Sequence, residues 1–573
     1  MRLQINRSKN AASLYIVEST YDRNKKRSNR IVKKLGTLEE LSKVHEDPIA
    51  WGKEIARQMT EEDKLNKRQI NISYNPLQTI PSDRDVLFDG GYLFLQKIFY
   101  RLGLDKICAD INSRYKFEHS LTDILRVLLY GRVLFPRSKA GTYEKAKTML
   151  ENPSFPLHAI YNALSIFSKE SDFIQSELYK NSKQVIKRND RILYYDCTNY
   201  FFELEEAKGI RQYGASKEHR PNPIVQMGLF MDGDGIPLAY SINPGNTNEQ
   251  ITLKPLEKLL LKEFNHSQFV VCTDAGLSSK ANRAFNSIQN RAFITVHSIK
   301  KMKDIYREWA LEPEGWRIVG DNKYYSIEDI QQDEESIERY LDTVFYKELI
   351  LNDDGIKQRY IVTFSLKYKY YLEGIRNKHL SRAQKRIDTG VIGTKRQTDP
   401  ERFIQGTYFT EDGELAKGAY YSLDMDKVHE ESIYDGFYCV ATNLGDSVQT
   451  ILKVNRRRWE IEESFRLLKS EFKARPVYLS RDDRIQAHFL TCFLALYLFR
   501  ILEKDLKEQY SSSEILSCLR SLKFMQLNKD SYIPAYKKTE LTDALHDTFG
   551  FRTDWEIIKT GQFRKIIKET KKA

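Results

Sequence analysis

Hydrophobic and polar residues follow different periods in successive parts of the chain, and these periods predict its elements. Residues 1–87 open with short strand-like runs at 13–17 and 30–32. In residues 88–190 the apolar side chains return at helical spacing, most clearly at 121–129. The first part is therefore predicted to be a small, basic N-terminal domain of mixed structure, and the second a helical region.

From residue 191 the pattern changes to short apolar runs of the kind that form buried strands. The sequence Asp232-Gly-Asp-Gly235 predicts a hairpin turn. Acidic residues follow two of the runs directly, Asp196 after the first and Asp274 after the fourth. The predicted elements are, in order, a strand at 192–195, hairpin strands at 224–230 and 236–242, a helix at 252–264, and strands at 269–273 and 293–296.

Residues 191–299 are thus predicted to form the first part of an α/β core, which residues 300–446 then interrupt. This second stretch mixes strand-like runs at 360–364 and 437–441 with a basic helical stretch near 376–386. It is predicted to be a strand-rich insertion domain.

Helical spacing returns in residues 447–505, which are predicted to complete the core. One long helix is predicted at about 447–473 and a very apolar helix at 485–502. The remaining residues, 506–573, are predicted to be a helical C-terminal tail. Within it, Ser511 and Glu514 have the spacing of a capping box.

Composition narrows the class of protein. A chain of 573 residues is too long for one hydrophobic core, which predicts three or four domains. Lysine and arginine number 91 against 79 acidic residues, and this surplus favours a polyanionic partner. The basic stretch 23–34 fits either a DNA contact or an ordinary solvated turn.

Cysteine usage and hydropathy exclude several further classes. The six cysteines are dispersed without a CxxC pair, which predicts neither disulfides nor a zinc site and fits a reducing cytoplasm. Residues 1–7 lack the apolar segment of a signal peptide. The longest apolar run, 489–499, is too short to cross a membrane and is predicted to be a buried helix.

The predicted helix at 447–473 carries the third candidate acid. At helical spacing its residues form two neighbouring stripes along the helix, one apolar and one polar. The polar stripe contains Glu462 together with basic residues. Glu460 and Glu463 are predicted to point further from the core, which leaves Glu462 at its edge. The apolar stripe consists of Ile461, Phe465, Leu468 and Phe472, and the polar stripe of Arg458, Glu462, Arg466 and Lys469.

Three carboxylates that converge in this way suit phosphodiester chemistry. Two divalent ions about 3.5–4 Å apart activate the attacking oxygen and stabilise the leaving one. Mg2+ prefers oxygen ligands, so Asp196, Asp274 and Glu462 are the candidate metal ligands and catalytic residues. Taken singly, each acid fits an ordinary turn, cap or surface role, and only the joint pattern indicates a site.

The local motifs resemble those of bacterial insertion-sequence DDE transposases. Tyr195-Asp-Cys-Thr-Asn199 is similar to the first-Asp motif, and Thr273-Asp-Ala-Gly-Leu277 with Asn282 to the second. Arg458, Glu462 and Lys469 match the R, E and K of the Y-x2-R-x3-E-x6-K signature in the group of IS-four-like and IS-sixteen-thirty-four-like elements. Tyr213-Gly-Ala-Ser-Lys217 and Gly245-Asn-Thr-Asn-Glu249 stand where that group has similar motifs.

The resemblance implies a ribonuclease-H-like core and cut-and-paste transposition. It implies two Mg2+ or Mn2+ ions, a homodimer assembled on DNA, and cleavage at terminal inverted repeats followed by joining to target DNA in the bacterial cytoplasm. Two alternatives stay open: a catalytically silent DNA-binding descendant, and a ribonuclease-H-like nuclease without strand transfer. The implied DNA-binding residues are Arg458, Lys469, Arg466, Lys217 and Trp459. Residues 88–190 are implied to be a DNA-binding region, and the ends are read by them, by residues 1–87, or by both.

Two details of the resemblance carry specific expectations. The signature tyrosine falls at Asn455, whose amide is still able to bond a phosphate. The inserted domain in relatives helps to hold distorted DNA ends. Trp309 and Trp316 are candidates for stacking on a base there, and a role in the core is the alternative for each.

Overall fold

The computed structural model describes residues 1–8, 11–20, 28–68, 77, 79, 85–353, 355–390, 392, 399–409, 415–527 and 531–572. The chain divides into two compact units, Met1–Arg84 and Asp85–Ala573. Part of the basic stretch 23–34, including Arg23, Lys25, Lys26 and Arg27, lies outside the described residues.

The first unit is a three-stranded antiparallel sheet with two helices. The central strand buries Leu14 and Ile16, and the predicted strands at 13–17 and 30–32 are both found. Thr37 and Glu40 form a capping box at the start of the short helix. The elements are β1 (Arg2–Arg7), β2 (Ala12–Thr20), β3 (Ser28–Thr37), α1 (Leu38–Ser42) and α2 (Pro48–Arg68).

The second unit begins with one short strand and the predicted helical region. Helix α5 is buried along nearly its whole length, as its apolar run at 121–129 predicts. These elements are β4 (Leu87–Asp89), α3 (Tyr92–Arg101), α4 (Leu104–Arg114), α5 (Leu121–Leu134), α6 (Lys139–Ala146), α7 (Leu157–Lys169) and α8 (Ser171–Val185).

The predicted strand, hairpin, helix, strand and further strand then follow in that order. The Asp232 to Gly235 turn joins the hairpin strands, with Gly235 at a φ of 77° that favours glycine. The elements are β5 (Ile192–Phe201), β6 (Ile224–Asp232), β7 (Pro237–Pro244), α9 (Leu253–Glu263), β8 (Val270–Thr273), α10 (Lys280–Phe285) and β9 (Ala292–Val296).

The stretch predicted as an insertion supplies both helices and strands. Its elements are α11 (Asp304–Leu311), β10 (Arg317–Ile318), α12 (Glu334–Tyr340), β11 (Phe345–Asp353), β12 (Ile356–Phe364), α13 (Leu366–Thr389), β13 (Ile404–Phe409), β14 (Leu415–Leu423), α14 (Met425–Ser432) and β15 (Phe437–Thr442). Strands β10, β11, β12 and β15 do not form a sheet of their own, because β15 pairs with β9 and continues the core sheet.

The resulting sheet is mixed and nine-stranded, in the order β10-β11-β12-β15-β9-β8-β5-β6-β7. Only the pairs β5–β8 and β8–β9 within it are parallel. The fold is therefore a mixed α/β architecture around one large sheet. Strands β13 and β14 form a separate two-stranded sheet among the described residues.

The single long helix predicted at 447–473 is wrong, because the chain bends at Arg457 and Arg458. Their backbone N–H groups bond three residues back, to Val454 and Asn455, and this tight turn separates two helices. These are α15 (Val448–Arg456) and α16 (Trp459–Ser470), and α17 (Asp482–Asp505) follows.

Helix α17 is the centre of the hydrophobic core. By length and composition alone it is apolar enough to cross a membrane, yet 89% of that apolar window is buried inside the protein. It packs against α5, α7 and β7. The predicted buried helix is therefore found, and it is longer than the sequence run that indicated it.

The predicted helical tail is partly wrong, since it contains three strands. They join β4, from the opposite end of this unit, in a sheet of order β18-β17-β16-β4, a pairing that local spacing cannot reveal. The Ser511 and Glu514 capping box is confirmed. The elements are α18 (Ser512–Ser521), β16 (Lys523–Leu527), β17 (Ser531–Pro534), α19 (Glu540–Phe549), β18 (Ile558–Lys559) and α20 (Thr560–Thr570).

Candidate active site

Strand register brings Asp196 and Asp274 together. In the parallel pair β5–β8, Tyr194 lies opposite Cys272. Asp196 lies two residues after Tyr194, and Asp274 lies two residues after Cys272, directly after the end of β8. Because side chains alternate with a period of two and neighbouring strands are about 4.8 Å apart, both carboxylates project at the same level and on the same side. The strand carrying Asp196 runs on to Phe201, so the strand predicted at 192–195 ends six residues too early.

Asp196 occupies a partly buried, electrostatically crowded position. Its Oδ1 accepts a hydrogen bond of 2.7 Å from the Cys197 amide. Burial raises the pKa of Asp196 to about 6, and the negative charge of Asp274 adds to this, while Lys217 and Arg458 oppose it. Two crowded carboxylates of this kind form the oxygen-rich, negatively charged setting that a divalent cation relieves.

Asp274 is at the same time the cap of the turn that follows β8. Its Oδ1 accepts from the Leu277 amide at 3.1 Å, and its carbonyl accepts from the Thr295 hydroxyl at 3.2 Å. Asn282 closes the loop by donating to the Leu277 carbonyl at 3.0 Å. The capping role and the metal-ligand role are therefore compatible, because the cap fixes the direction of the carboxylate.

The two motifs around Gly214 and Gly245 meet each other beside Asp196. A Cβ at Gly214 would lie 1.9 Å from the carbonyl oxygen of Gly245, so this approach requires glycine. It brings Lys217 next to Glu249, with Nζ and Oε1 3.3 Å apart. Burial opposes the charge of Lys217, yet Asp196 and Glu249 together raise its pKa.

The start of α16 connects Glu462 to this region through Arg458. The guanidinium of Arg458 lies 3.5 Å from Glu462 Oε1, and its positive charge also acts on Asp196. The Glu462 side chain is 62% exposed, however, whereas that of Arg458 is 19% exposed. Glu462 therefore lies on the outer side of the arginine, and Arg458 stands nearer to the strand-borne acids.

Lys469 also lies near Asp196. Its side chain is 17% exposed and lies over the ring of Tyr200. Burial and the neighbouring Lys217 lower its pKa, and Asp196 opposes this effect. Its Nζ is 3.8 Å from Glu218, which also pairs with Arg475. Glu218 and Arg475 were not predicted from the sequence. Glu218 directly follows the motif that ends at Lys217, and Arg475 lies in the basic stretch just after α16.

The other acids of α16 are not placed as predicted. Glu460 is more buried than Glu462, with a side chain 16% exposed, and it pairs with Arg457 at 2.8 Å beside the Gly235 turn. Glu463, 26% exposed, pairs with Arg466. The prediction that Glu462 lies at the edge of the core while Glu460 and Glu463 point further from it is wrong, because Glu462 is the most exposed of the three acids.

The remaining predicted DNA-binding residues lie apart from the acids. Arg466 is exposed and paired with Glu463. Trp459 is 60% exposed. The two lie together at one surface cavity with Glu460 and Arg500.

Three further residues singled out in the sequence, Asn455, Trp316 and Trp309, are buried or half-buried in the protein. Asn455 is buried and donates to the Tyr438 hydroxyl at 3.0 Å, so its amide nitrogen is engaged inside the protein. Trp316 is fully buried beside Phe364 and Phe437, in the core role given as its alternative. Trp309 is half-buried at the edge of the same cluster.

The three candidate acids do not yet form a closed metal cage. Within the described residues, the one group of three ligating side chains whose atoms lie within 4.8 Å of one another is Asp543, His546 and Asp554. Arg552 and Lys538 pair with both of its carboxylates, so that group is an internal ion-pair cluster. Asp196 and Asp274 fit a divalent ion by donor chemistry, and Glu462 requires a side-chain movement to join them.

Comparison with known proteins gives one family match. The model of the transposase DDE domain matches residues 200–498, slightly more than half of the chain. This span contains Asp274 and Glu462 and begins four residues after Asp196. No curated protein sequence matches the chain.

Two solved structures resemble it weakly. A piggyBac transposase synaptic complex with hairpin DNA is 8% identical, with 75% of this chain and 79% of that chain covered and a TM-score of 0.36. A Mos1 transposase paired-end complex with the left transposon end is 12% identical, with 44% and 68% covered and a TM-score of 0.14. Likenesses of this size do not establish a shared fold, and the family match stands without them.

Proposed function

Because the chain belongs to the family of transposases with a DDE domain, we propose that Asp196, Asp274 and Glu462 are its catalytic acids. Membership makes the protein a transposase, an enzyme that cleaves DNA and transfers strands with the help of divalent metal ions. The observation that carries the residue assignment is the shared level of Asp196 and Asp274 on neighbouring parallel strands.

Glu462 is proposed as the third acid in preference to Glu460. Glu460 is held by Arg457 at the hairpin turn, whereas Glu462 contacts Arg458, whose charge also acts on Asp196. An exposed carboxylate is free to change rotamer at little cost. Movement of Glu462 past Arg458 would complete the set when ions and DNA bind.

Two Mg2+ or Mn2+ ions are proposed at these acids, where they would activate the attacking oxygen and stabilise the leaving one. The cations around Asp196 have a separate role. Lys217, Arg458 and Lys469 line the acids and would bind the DNA backbone on either side of the scissile phosphate. Arg466 and Trp459 are proposed as outer contacts to DNA.

The finer classification is also a proposal. Strands β7-β6-β5-β8-β9 support a ribonuclease-H-like core, and the signature residues support the IS-four-like group, closest to the IS-sixteen-thirty-four-like family. The corresponding reaction is cut-and-paste transposition by a homodimer on terminal inverted repeats. It would take place in the bacterial cytoplasm, on the nucleoid.

The test uses the full chain and the DNA that flanks its own coding sequence. Cleavage and joining to a target plasmid are expected with Mg2+ or Mn2+ and are expected to stop when EDTA is added. Asp196→Ala and Asp274→Ala should each reduce cleavage at least about a thousandfold, equivalent to ~4 kcal/mol of transition-state stabilisation. Binding of the end DNA should persist. Normal cleavage by either variant would remove that residue from the site.

A further inference from the structure

A cavity of about 490 Å3 lies apart from the three acids, where the helical region meets the chain after α16. The junction of α5 and α6 forms one wall, and the segment from Lys473 to Leu479 with the start of α17 forms the other. Its charge is one-sided, because five of its lining residues are cationic and no lining residue is acidic. The cations are Arg132, Arg137, Lys139, Lys473 and Arg475.

Lys139 is the least expected of these cations. It is only 5% exposed, and within the described part of the chain its side chain has no hydrogen bond or ion pair. Burial lowers its pKa to about 7, and the nearby charge of Arg132 contributes. A buried ammonium without a counter-charge is costly, and an anionic ligand in the cavity would supply that counter-charge.

Arg132 likewise keeps its positive charge available to the cavity. Arg132 is equally buried, and its guanidinium is held by the carbonyls of Phe472 and Lys473 at 2.9 and 3.1 Å, not by a carboxylate. His488 bonds to the Ala474 carbonyl at 3.0 Å, and burial keeps its pKa well below the ordinary value. Lys139 is the first residue of α6, so the positive end of that helix dipole faces the same space.

We propose that this cavity binds a phosphate group of the DNA backbone. Arg475, at its edge, shares Glu218 with Lys469, and Lys469 lies beside Asp196, so positive charge continues from the cavity to the acids. Arg137 and Lys473 are exposed at the rim and open the cavity to a long polymer. The identity of the polymer rests on the proposed function, whereas the anion site rests on the cavity itself.

The salt dependence of DNA binding measures this contact. Fluorescence anisotropy would follow the full chain on a labelled duplex in EDTA, where no cleavage occurs. Each phosphate contact contributes about −0.9 to the slope of log K against log salt. Lys139→Gln is expected to reduce the slope by roughly one contact. Arg137→Gln, at an exposed position where folding is not at risk, should also reduce it.

Lys258→Gln is the matched control, because Lys258 is an exposed lysine of α9, outside residues 88–190, that does not line the cavity. It removes the same charge and should leave the slope unchanged. Equal slopes for Lys139→Gln, Arg137→Gln and wild type would overturn the proposal. A slope reduced equally in all three variants would also overturn it, since net charge alone would then explain the effect.

Inorganic phosphate separates a DNA phosphate from a free one. Thermal unfolding in phosphate and in chloride of equal ionic strength would show whether wild type is stabilised and Lys139→Gln is not. Stabilisation by phosphate with an unchanged DNA slope would assign the cavity to a free anion and overturn the proposal. If wild type fails to cleave DNA while the slope still falls, the proposed function fails and the cavity assignment stands.

Discussion

The interior strands β5 and β8 and the helix α16 hold their acids in different ways. Asp196 and Asp274 stand on adjacent strands whose register is fixed by backbone hydrogen bonds, and each carboxylate is further anchored by a neighbouring amide. Glu462 stands on an exposed helix face, and within the described residues its carboxylate contacts only Arg458, at 3.5 Å.

This contrast between anchored and exposed carboxylates shows which part of the proposed site is preorganised. A position set by strand pairing exists before any ligand arrives, whereas an exposed glutamate on a helix chooses among rotamers. The strand-borne pair would therefore bind the first cation by itself, and the helix acid would join only when a cation and DNA favour that rotamer. We infer that assembly of the site is completed from the α16 side.

The largest expected effect separates Glu462 from Glu460. Glu462→Gln should lower the cleavage rate at least about a hundredfold, because a neutral amide is a poor ligand for a divalent ion. Glu460→Gln, two residues earlier and more buried, should change cleavage less than about threefold, because its loss breaks only a partly exposed ion pair with Arg457. Single-turnover cleavage of end-bearing DNA measures both.

The reverse result would be informative. A large loss with Glu460→Gln and a small one with Glu462→Gln would exchange their roles and contradict the assignment made from Arg458. Thermal unfolding of both variants serves as the control, since a shared loss of stability would explain a shared loss of rate.

The next largest effect is expected when the close approach of Gly214 to Gly245, beside the sheet-borne Asp196, is disturbed. Gly214→Ala places a methyl group against the Gly245 carbonyl and forces the two segments apart. We expect a loss of roughly 1–3 kcal/mol in the free energy of unfolding and slower cleavage, because Lys217 moves away from Asp196. Denaturant unfolding measures the first effect and the cleavage assay the second.

Gly561→Ala is the control for this substitution. Gly561 lies in α20, where an added Cβ meets nothing within 4 Å, so alanine should stabilise the protein by up to about 1 kcal/mol. A Gly214→Ala protein as stable as this control would show that the close approach at Gly245 has no energetic role.

The sequence was sufficient for the strand side because its signals are local. Apolar runs, a glycine turn and the acids that follow the runs predicted β5 to β9 in their order. The same reasoning failed at α16, because the bend at Arg457 depends on hydrogen bonds three residues back and not on a proline or glycine. With a continuous helix assumed, Glu460 was assigned to the wrong side.

Long-range pairing explains the other differences. Strands β15 and β9 belong to separate stretches of sequence, so their union into one sheet left no local trace. The same holds for β4 and β16. The cationic cavity also joins Lys139 to Arg475 across distant segments, and only the folded chain brings them together.

The smallest expected effect compares two basic residues on α16. Lys469 lies near Asp196 and is largely buried, whereas Arg466 is exposed and engaged with Glu463. Lys469→Gln should reduce the salt slope of DNA binding by about one contact. Arg466→Gln should reduce it by less, because Arg466 is only an outer contact and its cation is already paired with Glu463 in an exposed pair worth ~0–1 kcal/mol. A larger effect from Arg466→Gln than from Lys469→Gln would mean that the DNA backbone runs along the exposed side of α16 and not beside Asp196.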